Sequence, residues 1–97
     1  MGNYEPEDCS RPLRAGQWTA EHSDREPIAV HIQLCRLLRG RTQAQITTLI
    51  GSPDRRTGNR WEYAVKPGQL DLGHLDLYFA GDRVGEVRSV DTGPPLP

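Results

Sequence analysis

Gly40-Arg-Thr-Gln-Ala-Gln-Ile-Thr-Thr-Leu-Ile-Gly-Ser-Pro53 carries a helix start, an apolar face and a helix stop in one short run. Thr42 and Gln45 stand at capping-box spacing, where a hydroxyl and an amide each satisfy a backbone N–H of the first turn. Ile46, Leu49 and Ile50 then recur at helical intervals, and Gly51 with Pro53 beyond it ends the pattern. A helix this short is marginal alone in water, so its apolar face must pack on something larger.

Downstream, the period of the apolar pattern shortens to two. Trp61, Tyr63 and Val65 alternate with Arg60, Glu62 and Ala64, as in a half-buried strand, and Lys66-Pro-Gly-Gln69 supplies a turn. Leu75, Leu77 and Phe79 alternate with His74, Asp76 and Tyr78, and Gly81-Asp82 connects them to a last strand over residues 84–90. Gly85 interrupts that strand and marks a bulge, since Val84 and Val87 could not otherwise share a face. Upstream, Ser23 and Glu26 repeat the capping-box spacing, Pro27 suits a first turn, and Ile28, Ile32, Cys35 and Leu38 recur at helical intervals. This predicts a helix over residues 26–39, closed by Gly40, with Arg36 and Arg39 at the negative end of its dipole.

The expected fold class is therefore α+β, with two N-terminal helices packed on a three-stranded antiparallel β-meander. Residues 23–91 form the domain. Residues 1–22, polar and proline-containing, are expected to be a flexible arm in which Trp18 docks on the domain. Residues 92–97 form a Pro-rich tail, because prolines lack the amide donors a ladder needs.

The 97 residues support one modest core, with 35% hydrophobic and 26% charged residues. A net charge of −1 excludes a globally basic nucleic-acid binder and a strongly acidic mimic. No run approaches the roughly 20 apolar residues of a membrane span, and Met1-Gly-Asn-Tyr-Glu-Pro-Glu-Asp8 has no signal-like charge or apolar stretch. The sequence as it stands reads as cytoplasmic, or as envelope if a signal segment was removed. Membrane contact would require a missing anchor. Cys9 and Cys35 lack Cys-x-x-Cys spacing, and a reducing compartment with Cys35 as a buried thiol is expected. A bridge between them would require the arm to bring their Cα atoms within about 7 Å.

The chain offers little chemistry by motif. His22, His31 and His74 lie in arm, helix and strand with no His-x-x-x-His pair and no carboxylate at ligand spacing, so no metal and no cofactor are expected. His74 shares a strand face with Asp76, and Asp71 is close in sequence, but this set reads as a solvated outer face. No nucleophile elbow or phosphate loop is present, and no catalytic residue is assigned. The strongest unabsorbed feature is Arg36, Arg39, Arg41, Arg55, Arg56 and Arg60, a basic patch in a chain whose only lysine is Lys66. Nucleic acid is a disfavoured target because no aromatics are interleaved for stacking.

The run over residues 40–53, followed by Trp61-Glu62-Tyr63 and by Leu75-Asp-Leu-Tyr-Phe79 with its glycine turn and final strand, resembles the SmpA/OmlA (BamE-like) outer-membrane assembly lipoprotein family. The resemblance covers about half the chain. It implies helices packed on one face of a three-stranded sheet, no enzymatic activity and no cofactor. Similar architecture occurs in β-lactamase-inhibitory proteins, so the resemblance points to a protein-binding surface. The expected function is thus a non-enzymatic protein-binding module of assembly-factor, inhibitor or immunity type. Its expected contacts are the arginine patch and Glu62, Asp76 and Tyr78 on the exposed sheet face. The alternative is binding of an anionic ligand, nucleic acid or lipid headgroup, through the arginines.

Overall fold

Two-residue alternation over residues 60–90 becomes an antiparallel sheet whose apolar side is covered by helices. The computed structural model describes residues 8–21 and 24–90, except for the side chain of Asp71. Three short helices, α1 (Gln17–Ala20), α2 (Glu26–Leu34) and α3 (Gln43–Ile50), precede strands β1 (Arg55–Thr57), β2 (Arg60–Ala64), β3 (His74–Ala80) and β4 (Arg83–Val90). A single 3-10 turn, Leu70–Leu72, lies between β2 and β3. The strands pair in sequence order, β1-β2-β3-β4, all antiparallel.

Among the described residues the sheet thus has four strands where three were expected, and there are three helices instead of two. The extra strand, β1, is exposed at every position and so has no apolar alternation to reveal it. It forms because the chain after α3 turns back along β2, pairing Arg55 with Glu62 and Thr57 with Arg60. The bulge at Gly85 is present: Tyr78 pairs with Glu86 and Phe79 with Val84, leaving Gly85 unmatched.

Thr42 and Gln45 form the capping box. The Gln45 amide donates to Thr42 Oγ1 at 3.2 Å, and the Thr42 amide donates to Gln45 Oε1 at 2.9 Å. At the other end, Gly51 takes a positive φ of 79°. There the Tyr63 hydroxyl donates to the Gly51 carbonyl at 2.8 Å, and the Gly16 amide donates to the Leu49 carbonyl at 3.2 Å. A strand and the arm therefore satisfy carbonyls that a helix end leaves unpaired. Ile46 and Ile50 are fully buried with Leu75, Leu77 and Tyr63 in the core.

Helix α2 stops at Leu34, short of the predicted residue 39. Arg36 adopts φ 53°, and the Leu37 amide donates to the Ile32 carbonyl at 3.1 Å, which is the closure of a Schellman motif with arginine in the place glycine usually takes. Gly40 is also left-handed, but it steers the chain onto β4, where its amide donates to the Val84 carbonyl at 2.8 Å. Ser23 lies outside the described residues; the first turn of α2 is bonded by Asp24, whose Oδ1 accepts from the Glu26 amide at 2.9 Å.

Of the arm expected to be flexible over residues 1–22, residues 8–21 are described and carry contacts to the domain, while residues 1–7 and 22 lie outside the described residues. Trp18 is 1% exposed, meets Tyr63 edge-on with ring centroids 6.2 Å apart, and lies under the Arg25 guanidinium. Leu13 joins the same core. Cys9 and Cys35 form a disulfide with Cα atoms 5.3 Å apart, so Cys35 is not the free thiol expected. The arm's docking, invisible in the spacing of the cysteines, brings them together. His31 adds a contact of its Nε2 with the Arg11 carbonyl at 2.9 Å. No helix among the described residues is long and apolar enough to cross a membrane.

Reduction of the Cys9–Cys35 bond, which spans a sequence separation of 26, is expected to lower the unfolding free energy by about 3.5 kcal/mol, the closure entropy of a loop of that length. Urea midpoints with and without a thiol reductant measure it. Tyr63→Phe is expected to cost about 1–2 kcal/mol in the same assay, because the Gly51 carbonyl loses its donor.

Candidate functional site

The face of the sheet turned away from the helices carries charge across all four strands. Register places Arg55 of β1 opposite Glu62 of β2, Glu62 opposite Asp76 of β3, and Asp76 opposite Arg88 of β4. Next to this row, Arg60 pairs with Tyr78 and Ala64 with His74. Strand pleating puts all of these on one side, since neighbours directly opposite in a sheet share a face.

Glu62 and Asp76 are 1% and 2% exposed, so neither is the solvent-exposed contact expected from the sequence. His74 is also buried, which removes the solvated reading of the His74–Asp76 pair. Arg55 grips Glu62 through two hydrogen bonds, Nε to Oε2 and Nη2 to Oε1, the latter at 2.7 Å. That pair, chiefly through its hydrogen bonds, holds the Glu62 carboxyl below its ordinary range and raises Arg55.

Asp76 behaves in the opposite way. Burial pushes its carboxyl up, and the charge of Glu62 adds to the shift against the opposing effects of His74, Arg60 and Arg55. Two of the nearby guanidinium groups have other partners, Arg55 on Glu62 and Arg88 on Glu86, while the buried Nε of Arg60 makes no hydrogen bond. The His74 ring lies between the two acids, with Nε2 3.4 Å from Glu62 Oε1 and Nδ1 3.7 Å from Asp76 Oδ1. One donor atom from each of Glu62, His74 and Asp76 lies within 4.8 Å of the others. The side chain of Asp71 lies outside the described residues.

The six arginines do not form one patch. Arg55 and Arg56 lie on β1 and Arg60 begins β2, whereas Arg36, Arg39 and Arg41 lie in the α2–α3 connection beside the opposite edge strand, β4. There Arg39 Nε donates to the Gly85 carbonyl at 3.3 Å, Arg41 Nε donates to the Leu37 carbonyl at 2.8 Å, and Arg36 with Arg39 lines a shallow groove against Glu86 and Val87. Even the first group is divided by the sheet. Arg56 stacks over Trp61 on the apolar side, at 4.5 Å from the ring centroid, while Arg55 and Arg60 serve the charged side.

His74, Glu86 and Arg88 are members of the charged face that the sequence reading left unassigned. Alternation put His74 with Asp76, but only the strand register adds Glu62 to that pair and Arg88 beyond it. Comparison of the chain with protein-family models, with curated proteins and with solved structures returned no match.

The upward shift of Asp76 makes a signed expectation. Its favourable contribution to folding is complete below its ordinary value of 3.8 and is lost as pH rises through the raised folded value. Asp76→Asn, which fixes an uncharged side chain of the same shape, is expected to melt higher than the parent at neutral pH. The advantage should shrink as pH falls toward 3.8. Thermal melts of both proteins across that range measure it, and a variant less stable at neutral pH would contradict the assigned cost of the buried charge.

Proposed function

We propose that this chain is a non-enzymatic protein-binding module on a BamE/SmpA-like scaffold, working in an oxidising compartment and engaging its partner through the charged sheet face around Tyr78. The observation that carries the reading is the arrangement over that face. Tyr78 is half-buried between Arg60, its cross-strand partner on β2, and Arg88, whose guanidinium lies 5.6 Å from its ring centroid. Tyrosine and arginine are the residue types that most often dominate protein interfaces, and side chains already held by neighbours lose less freedom on binding.

The disulfide supports an envelope or secreted setting over the cytoplasmic one, since such bonds persist where thiols are not kept reduced. The coarse α+β layout, with helices on one side of an antiparallel sheet, is compatible with the scaffold that the sequence resembles, though the sheet has four strands where that resemblance implied three. The alternative, anionic-ligand binding by a single arginine patch, loses support because the six arginines divide between β1 with the start of β2 and the connection beside β4.

The test is partner capture from the native envelope or secreted fraction, followed by reconstitution with the purified partner. Tyr78→Ala and Arg88→Ala are each expected to weaken the reconstituted complex by about tenfold, as a modest interface hot spot does, while Arg39→Glu leaves it unchanged. A complex indifferent to Tyr78 and Arg88 would sink the surface assignment. Steeply salt-dependent binding to DNA or anionic vesicles, without a protein partner, would favour the alternative.

A further inference from the structure

Beneath the surface layer of the charged face, polar atoms are left without partners. Both ring nitrogens of His74 and Oδ1 of Asp76 make no hydrogen bond, although His74 is 8% and Asp76 2% exposed. Buried polar atoms nearly always find a partner, and those that do not point to an ion or a water between them. Arg60 Nε, which can only donate, is also unpaired; the unpaired atoms able to hold a cation belong to a histidine and a carboxylate, and a second carboxylate, Glu62, completes the set. The chemistry of the trio is that of a metal ligand set.

We propose that Glu62, His74 and Asp76 form a binding site for one divalent first-row transition metal ion, with zinc(II) as the reference ion. One imidazole nitrogen and two carboxylate oxygens are a borderline donor set, suited to zinc, iron(II) or manganese(II), and three protein ligands leave room for water or a further ligand. The present spacing is close to what is needed. Bonds of about 2.1 Å at tetrahedral angles place donors about 3.4 Å apart, and the three donor atoms here lie within 4.8 Å of one another. His74 Nε2 and Glu62 Oε1 already stand at 3.4 Å. The remaining closure is a matter of side-chain rotation, because neighbouring strands fix all three backbones.

The two ring nitrogens face different acids. One of them coordinates the ion, which both acids share as ligands.

Arg55 is the built-in competitor. It occupies both oxygens of Glu62 from the neighbouring strand, yet its side chain is 56% exposed and has solvent to move into. Arg60 adds a second positive charge near the acids, from β2 itself, while Arg88 on β4 is taken up by Glu86. The site therefore exchanges a guanidinium for a metal ion on Glu62, and removal of Arg55 strengthens metal binding. A merely structural ion-pair network predicts no such gain.

The experiment is calorimetric titration of the full, oxidised chain with zinc chloride and, separately, manganese chloride, paired with melting temperatures. The expected result is one equivalent of zinc bound by the parent protein. Binding should weaken about tenfold or more in His74→Gln and in Asp76→Asn, and tighten several-fold in Arg55→Gln. Circular dichroism confirms that each variant is folded, and Asp76→Asn is expected to be more stable than the parent. Absence of binding in both the parent and Arg55→Gln overturns the proposal, as does zinc binding that His74→Gln and Asp76→Asn leave unchanged. The outcome is independent of the partner-capture test, which probes Tyr78 and Arg88 and requires no metal.

Discussion

The hydroxyl of Tyr63 terminates a helix that its ring helps to bury. α3 has only eight residues, too few to persist by itself, and its last carbonyls would be left unpaired under a covering layer. Tyr63 donates to the Gly51 carbonyl, the Gly16 amide donates to that of Leu49, and Trp18 packs edge-on against the tyrosine ring. Burial drives the ionisation of the Tyr63 hydroxyl well above its usual range, so it stays a neutral donor at any physiological pH. Helix, strand and arm meet at this point. Loss of the bond would loosen α3, and with it the apolar layer over Leu75 and Leu77.

Where local physics dictated the conformation, the sequence was readable. Thr42 and Gln45 cap α3 as their spacing implied, Gly51 ends it, Trp61 and Tyr63 face the core, and Gly85 forms the bulge. Where the conformation came from distant partners, it was not. β1 is exposed throughout and exists because β2 lies beside it. α2 ends at an arginine in a left-handed turn, which residue type alone argues against. Cys9 meets Cys35 only because Leu13 and Trp18 carry the arm onto the core.

The charged face was misread for a related reason. Alternation identifies which residues share a side of a strand, but it cannot say that an apparently outward side will be covered. Glu62 and Asp76 were read as solvent contacts because acids at alternate positions usually are. Four-strand register instead aligns them in a row between Arg55 and Arg88, and both acids are buried there. The result is an asymmetry between two acids on neighbouring strands: Glu62 is satisfied by a bidentate arginine, while Asp76 keeps an unpaired oxygen. Chemical character on this face follows from which acid has a committed counter-ion.

The disulfide between Cys9 and Cys35 also makes a covalent ring that encloses α1 and the whole of α2. Peptide-bond cleavage anywhere within that ring would open the chain without releasing a fragment, since both pieces remain joined through sulfur. The arm and the helix it crosses are thereby one unit toward proteases in an oxidising medium, and become separable only when the sulfurs are reduced.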